Sequence, residues 1–463
     1  MSTNFENIEK IDLFLDNIIE NTNQNLVFLN QSINQSILEK MSASNHSIVY
    51  TVNTTSYDTE MIKTKHCRTP LAEYEVLNYD KTKNENEQPS EYRSVVICPV
   101  SKEMVCFSPP KSIEMNEFMK KSPVLLSYDN NVVVNEFIEG TMINLFYDPR
   151  IQSWEISTKN NVGGNYCYFR NNYESQSNKP VNPTKTTFRD MFLDALQSPR
   201  NITLNDVELL KEFPKEYCYS FVLQHPENHI VFHYPRPQLY LVAVYRILRE
   251  HNDMDDVEYI PLSRVYDWNC ISNYGIIRLP NVCAYMNNTS YDDFKKTIAY
   301  SMNNHYIMMG LMFTNLTTGE RSSIMNPEYE KMKVIRGNNP NLQYQYFALL
   351  KVNKVHEFLD YFPMYEYQFT NFSKQIFDFI REIHDAYVLY YVNKLGKVCV
   401  PIKKHIFRHI YKLHHEVYLP SLKSSKKIIH RKVVSEYFMK MQPKEMLYHI
   451  TADNREVVEV VSV

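Results

Sequence analysis

The sequence predicts an α+β fold, with antiparallel sheets over most of the chain and an all-α domain at its C-terminal end. Short runs rich in Val, Ile, Tyr and Phe recur from about residue 48, each bounded by turn-forming residues. Beyond about 350 they give way to long stretches with apolar residues at three- and four-residue spacing. The chain has 463 residues, 44% of them hydrophobic, enough for two to four domains with large cores.

Residues 1–45 read as a helical N-terminal segment, with Ile8, Ile11, Leu13, Leu15, Ile18 and Ile19 on a roughly helical apolar face. Its acidic start lacks the basic opening and continuous apolar stretch of a signal peptide. No window approaches the roughly 18 apolar residues of a membrane helix. The expectation is an intracellular chain with no membrane partner. Residues 47–52, 93–100 and 103–110 read as strands, and the polar stretch 80–90 as an exposed loop. Residues 130–148 hold two β-rich runs around Glu139-Gly140 and read as a hairpin. Residues 152–164 read as a strand ending at Gly163-Gly164. Residues 186–197 read as a helix capped by Thr186 or Thr187. Residues 217–226, 229–235 and 238–247 read as strands. The stretches 352–362, 372–395, 403–422 and 426–441 read as helices.

Only 8 glycines occur, so each is expected where the backbone needs it. The 8 cysteines form no C-x-x-C pair and no zinc spacing with histidine, and read as small buried hydrophobes. His225, His229 and His233 recur every four residues among prolines. They read as companions of the turn at Pro226, and no metal site is expected.

Net charge is −3, which excludes a uniformly basic nucleic-acid binder, but the charge is uneven. Between 394 and 444, thirteen Lys and Arg face two acids, Glu416 and Glu436. Ordinary solvated faces mix signs, so this imbalance points to a polyanion. Lys403, Lys404, Arg408, Lys412, Lys426, Lys427, Arg431 and Lys432 are the candidate RNA-binding residues.

Glu136-Phe137-Ile138-Glu139-Gly140-Thr141-Met142-Ile143 resembles a pattern of the covalent nucleotidyltransferases: Glu-Lys-apolar-Asp-Gly-Ser-apolar-apolar. In that pattern the lysine amine attacks the α-phosphate of ATP. Companion stretches occur in family-like order: Arg93-Ser94-Val95-Val96, then Phe107 to Ser112, then Trp154 to Lys159 with Gly163-Gly164. Phe221 to Val231, Met309 to Phe313 and Ser323 to Tyr329 follow. Together they resemble bacteriophage-type RNA ligase 1 proteins. The continuation from Arg336 and the helical tail look like the versions encoded by large DNA viruses. The resemblance implies a nucleotidyltransferase-like domain at 46–350, built on antiparallel sheets, and a helical basic C-terminal domain at 351–463.

The departures share a direction. Phe137 stands at the lysine, Val222 and Met309 at metal-binding glutamates, and Ser323 and Met325 at phosphate-contacting lysines. Framework survives, and the charge that polyphosphate chemistry needs is lost. The resemblance leaves Arg93, Lys111, Phe137, Glu139, Gly140 and Lys159 as candidate nucleotide-binding residues, with no catalytic residue assigned. The expected function is a catalytically impaired ligase-like protein that binds RNA or another nucleic acid, with a nucleotide as a further candidate ligand, through the ligase-type fold and the basic helical domain. Two alternatives stand beside it. One is an active ATP-dependent RNA ligase with a relocated lysine, Lys159 being the nearest, using ATP and Mg²⁺. The other is a viral structural or interaction subunit with protein partners, in the host cytoplasm or packaged in a virion.

Overall fold

The structure, a computed structural model, describes residues 48–452 apart from 85–87, 123–131, 167–185, 250–253, 273, 283–308, 338, 340, 395–401 and 423–426. The expected helical segment at 1–45 lies outside these residues. The chain divides into two compact units, one of residues 1–168 and 184–334, the other of 169–183 and 335–463.

The first unit is built from three sheets. Strands β1 (Ile48–Asn53), β2 (Ile62–Arg68), β3 (Glu73–Tyr79), β4 (Val95–Ile97) and β5 (Met104–Cys106) precede a short helix, α1 (Met115–Lys121). Next come β6 (Val132–Phe137), β7 (Thr141–Asp148), β8 (Ser153–Thr158), β9 (Asn161–Val162) and the helices α2 (Phe188–Ala195) and α3 (Glu208–Lys211). After β10 (Tyr217–Gln224), β11 (Gln238–Arg249) and β12 (Met254–Ile260) come α4 (Asn269–Ser272), β13 (Ile277–Arg278), β14 (Gly310–Asn315) and β15 (Arg321–Met325). The largest sheet runs β1-β12-β11-β10-β7-β8-β9, with β13 alongside β11. A second sheet is β2-β3-β4-β5, and a third is β15-β14-β6. All pairings are antiparallel except β11 with β13. The fold is α+β on antiparallel sheets, with a helical C-terminal region.

Each face of the large sheet carries a buried apolar cluster. On one face Phe192, Leu210 and Phe213 pack with Ile156, Tyr219 and Phe221. On the other, Tyr74, Val96 and Phe107 of the four-stranded side meet Phe146, Ala243 and Tyr245. Each of these aromatic side chains, once buried, contributes about 1.5–3 kcal/mol. The α2 helix starts at Thr187, whose hydroxyl accepts from the Asp190 amide while Asp190 accepts from the Thr187 amide, a reciprocal cap. The five described cysteines are buried and unbonded. Among the described residues no helix is long and apolar enough to cross a membrane.

Two readings of the sequence fail here. Residues 130–148 do not form a hairpin. The β6 strand pairs with β14 and β7 with β8 and β10, so Ile138-Glu139-Gly140 crosses from one sheet to another. Each flank has the period of a strand, but neither has the other as its partner, and periodicity is blind to partner choice. Residues 229–235 are not a strand. The amides of Ile230, Val231 and Phe232 point at one carboxylate oxygen of Glu139, so they have no ladder to join.

The second unit is helical. The α5 helix (Pro327–Arg336) runs into it, followed by α6 (Leu342–Lys351), α7 (Val355–Tyr361), α8 (Glu366–Tyr387), α9 (Lys404–Lys412), α10 (Arg431–Met439) and α11 (Pro443–Ile450). Each of α8 and α9 continues in wider π-helical turns, over Val388–Val392 and Leu413–Tyr418. Phe369, Phe372, Ile376, Phe379 and Ile383 form the buried stripe of α8 at helical spacing. His409 is 1% exposed, with Nδ1 3.0 Å from the Tyr437 hydroxyl and its ring 4.3 Å from that of His449. Burial first, then the neighbouring His449, His405, Lys412 and Arg408, push the His409 pKa down to about 3.

Candidate functional site

The crossover at 138–140 is where distant stretches of sequence meet. Glu139 is buried, and its Oε1 accepts from three consecutive amides, Ile230, Val231 and Phe232, at 3.2, 3.1 and 3.3 Å. Its main-chain oxygen accepts from Gln224 Nε2 at 3.0 Å and the Tyr234 hydroxyl at 3.2 Å. One turn on, Asn228 Nδ2 donates to the Thr141 hydroxyl at 2.8 Å. Burial raises the Glu139 pKa, and the three amides and the Tyr329 hydroxyl pull against it. Gly140 has φ +151°, and a Cβ there would meet the Leu223 carbonyl oxygen at 2.5 Å. Only glycine lets this chain lie against β10.

Phe137 ends β6 opposite Gly310, which is in turn opposite Met325. The ring borders a cavity of about 50 Å³ shared with Ile138, Met142, Val222, Met312 and Tyr245. Ligand sites are typically ~300–1,000 Å³, so no nucleotide fits beside Phe137 as it stands. Among the described residues that line it, Arg321 alone brings a positive charge to this cavity. Adjoining it through Asn135, Tyr259, Pro280 and Thr314 is a larger cavity of about 870 Å³. Tyr240, Tyr266, Asp267 and Arg278 line it, and its size admits a nucleotide-sized molecule.

A cationic cluster forms around Tyr79, at the end of β3. Lys159, just past β8, donates to the Tyr79 hydroxyl at 3.1 Å, with its ammonium 4.6 Å from the ring centre. Lys111 lies 5.6 Å from the same ring and donates to Gln88 Oε1 at 2.9 Å. The Asn78 amide, oriented so that its nitrogen donates, joins the carbonyls of Lys159 and Arg93 at 2.8 and 2.6 Å. Ile113 donates to the Arg321 carbonyl at 2.8 Å, which ties β15 to the Lys111 segment. Burial, then Lys81, Arg93 and Lys111, lower the Lys159 pKa to about 8. Burial, then Arg321, lower that of Arg93. Among the described residues Arg93, Lys159 and Arg321 have no carboxylate partner, and the Arg321 Nη1 is buried without a hydrogen bond. Arg93, Lys159 and Arg321 are half-buried, and like charges held together in such a group are costly unless an anion enters.

The solved structures similar to this chain include ATP-dependent RNA and DNA ligases, at low identity. Naegleria gruberi RNA ligase with ATP and Mn matches at 11% identity and a TM-score of 0.31, over 49% of this chain and 58% of that one. A protein from Aquifex aeolicus described as an ATP-dependent DNA ligase matches at 12% and 0.34, over 78% and 85%. An archaeal ATP-dependent RNA ligase matches at 11% and 0.35, over 66% and 67%. The chain therefore spans less than two thirds of the Naegleria gruberi ligase it matches. No protein-family model matches the sequence, and no curated protein does.

Of the six candidate nucleotide residues, the structure brings Arg93, Lys111 and Lys159 together, and places Phe137, Glu139 and Gly140 at the sheet crossover. One carboxylate oxygen of Glu139 accepts from the three backbone amides, the other is buried without a hydrogen bond, and Glu139 does not line the cavity beside Phe137. Sequence reading missed Tyr79, Lys81 and Arg321. Lys81 sat in a stretch read as solvated loop, and Arg321 carried no motif at all. The resemblance implies Mg²⁺, but the donor set does not fit it. Hard cations need several oxygen ligands, and Val222 and Met309 offer none. Among the described residues no group of three or more His, Cys, Asp or Glu gathers as a metal ion would require.

The structure divides the candidate RNA residues. Lys403 pairs with Glu382 at 3.1 Å and Arg431 with Asp385 at 3.7 Å. Lys404, Arg408 and Lys412 stand exposed on one face of α9, without a carboxylate partner among the described residues. Lys427 and Lys432 are exposed elsewhere, and Lys426 lies outside the described residues.

Proposed function

We propose that the chain binds RNA, through the cluster around Tyr79 and the basic helices, and transfers no adenylate from the position of Phe137. One observation carries the reading. Among the described residues Arg93 neighbours both Lys159 and Arg321, none of the three with a carboxylate partner, while the space beside Phe137 is a cavity of about 50 Å³ with mostly apolar walls. The first feature attracts phosphate, and the second leaves no nucleophile or room for nucleotidyl transfer. Purified protein is expected to bind RNA at moderate salt. Absence of any affinity there sinks the proposal. Incubation with radiolabelled ATP and Mg²⁺ or Mn²⁺ is expected to leave no covalent adenylate on the protein.

The depressed pKa of Lys159 favours a second reading. An amine titrating at about 8 among other cations is a better nucleophile than an ordinary lysine. A labelled adenylate that disappears in Lys159→Ala would establish this reading in place of the first.

The same pKa gives RNA binding a pH signature. Lys159 is mostly charged at pH 7 and about nine-tenths neutral at pH 9. RNA affinity is expected to fall roughly three- to tenfold between those values, as one phosphate contact loses its charge. Lys159→Arg keeps the charge and is expected to flatten the profile. Fluorescence anisotropy against pH at constant ionic strength checks this.

A further inference from the structure

The outer face of α9 carries more than charge. Ile406, His409, Ile410 and Leu413 are buried on one side of the helix and its continuation. On the other, Lys404, Arg408 and Lys412 follow one another at four-residue spacing, about 6 Å apart along the axis. Tyr411 is 50% exposed between the last two, and its ring lies 4.1 Å from that of His415, tilted by 34°. His415 is also exposed. Beyond it the π-helical turns hold Tyr391 stacked on His414 at 3.7 Å and 7°, with Tyr418 stacked on His414 at 5.2 Å. The rings therefore continue from a half-buried stack to an exposed pair, and the cations border the exposed pair. Wider turns of this kind recur where helices carry function.

We propose that this face takes unpaired RNA, with bases stacking on Tyr411 and His415 and phosphates running along Lys404, Arg408 and Lys412. The inference rests on the RNA-binding reading above and adds the class of RNA. A double helix hides the faces of its bases and offers only phosphates and groove edges, so an exposed ring pair gains nothing from it. A single strand offers both phosphates and base faces, and base stacking on an aromatic side chain is worth about 1–3 kcal/mol per base. The charge run alone would serve either form equally. The rings decide between them.

The test uses the full chain and fluorescein-labelled oligoribonucleotides, one single-stranded and one the duplex of the same sequence, over a range of salt. The single strand is expected to bind at least tenfold more tightly than the duplex. Tyr411→Ala is expected to weaken single-strand binding five- to fiftyfold, with little change for the duplex and an unchanged salt slope. The triple variant Lys404→Gln, Arg408→Gln, Lys412→Gln is expected to weaken both and lower the salt slope for the single strand by about 2, from three lost phosphate contacts. Equal affinity for the two forms overturns the inference. So does an unaltered single-strand affinity in Tyr411→Ala while the triple variant still loses binding, and the RNA-binding reading then survives. Failure of the unaltered protein to bind either form overturns both. Tyr411 is at the surface, and far-UV circular dichroism of Tyr411→Ala is expected to match that of the unaltered protein.

Discussion

Replacing Glu139 by alanine is expected to destabilise the first unit by about 2–4 kcal/mol, the cost of removing the acceptor shared by three amides, that of Val231 buried and those of Ile230 and Phe232 half-buried. The mechanism is specific. One carboxylate oxygen accepts from Ile230, Val231 and Phe232, and together with Gln224 and Tyr234 on its own carbonyl it holds the loop after β10 against the crossover. Glu139→Gln keeps an oxygen acceptor without the charge and is expected to lose less, about 1–2 kcal/mol. Urea denaturation followed by tryptophan fluorescence reports on this unit, which holds both Trp154 and Trp268. A loss under about 1 kcal/mol for Glu139→Ala would show that the loop stands without the carboxylate.

The helical unit is expected to weaken in mild acid because of His409. Its folded pKa of about 3 lies below the ordinary value of 6.5. The unfolded chain therefore takes up a proton as pH falls below 6.5, while the folded chain does not. Stability is full above that value and is lost progressively down to about pH 3. Between pH 6.5 and 5 the loss from this group is about 2 kcal/mol. His414 and His449 of the same unit are also lowered, burial being the largest cause for each, and act in the same direction. Amide hydrogen exchange in α9 and α10, compared at matched chemical exchange rates, is expected to show the loss. It should shrink in His409→Phe. Equal protection at pH 6.5 and 5 in the unaltered protein would refute the account.

The α+β class, most strands and the long C-terminal helices were legible because burial imposes periods of two and 3.6 on the sequence. Thr187 was readable as a cap because its side chain acts on amides only three residues away. The pairing of β6 with β14 was not legible, since strands 173 or more residues apart in sequence leave no local mark on one another. The stretch 229–235 misled because its β-rich composition carried no sign that Glu139 would take its amides. At the candidate site, Arg93, Lys111 and Lys159 were legible only through the family resemblance. Their actual proximity, and the presence of Tyr79, Lys81 and Arg321 among them, depended on three separate sheets coming together.

The cluster around Tyr79 also makes the solvent anion a participant in folding. Bringing these cations together is unfavourable in the folded chain and absent in the unfolded one, so any anion that settles among them stabilises the folded form by mass action. The melting temperature should rise more in sulfate than in chloride at equal ionic strength, and Lys159→Gln should reduce the gap. Sulfate also stabilises proteins in general, and the variant separates that background from occupancy of the cluster. The stability of this chain is thus a property of the protein together with its counter-ion, and a polyphosphate backbone would act on it as a folding ligand.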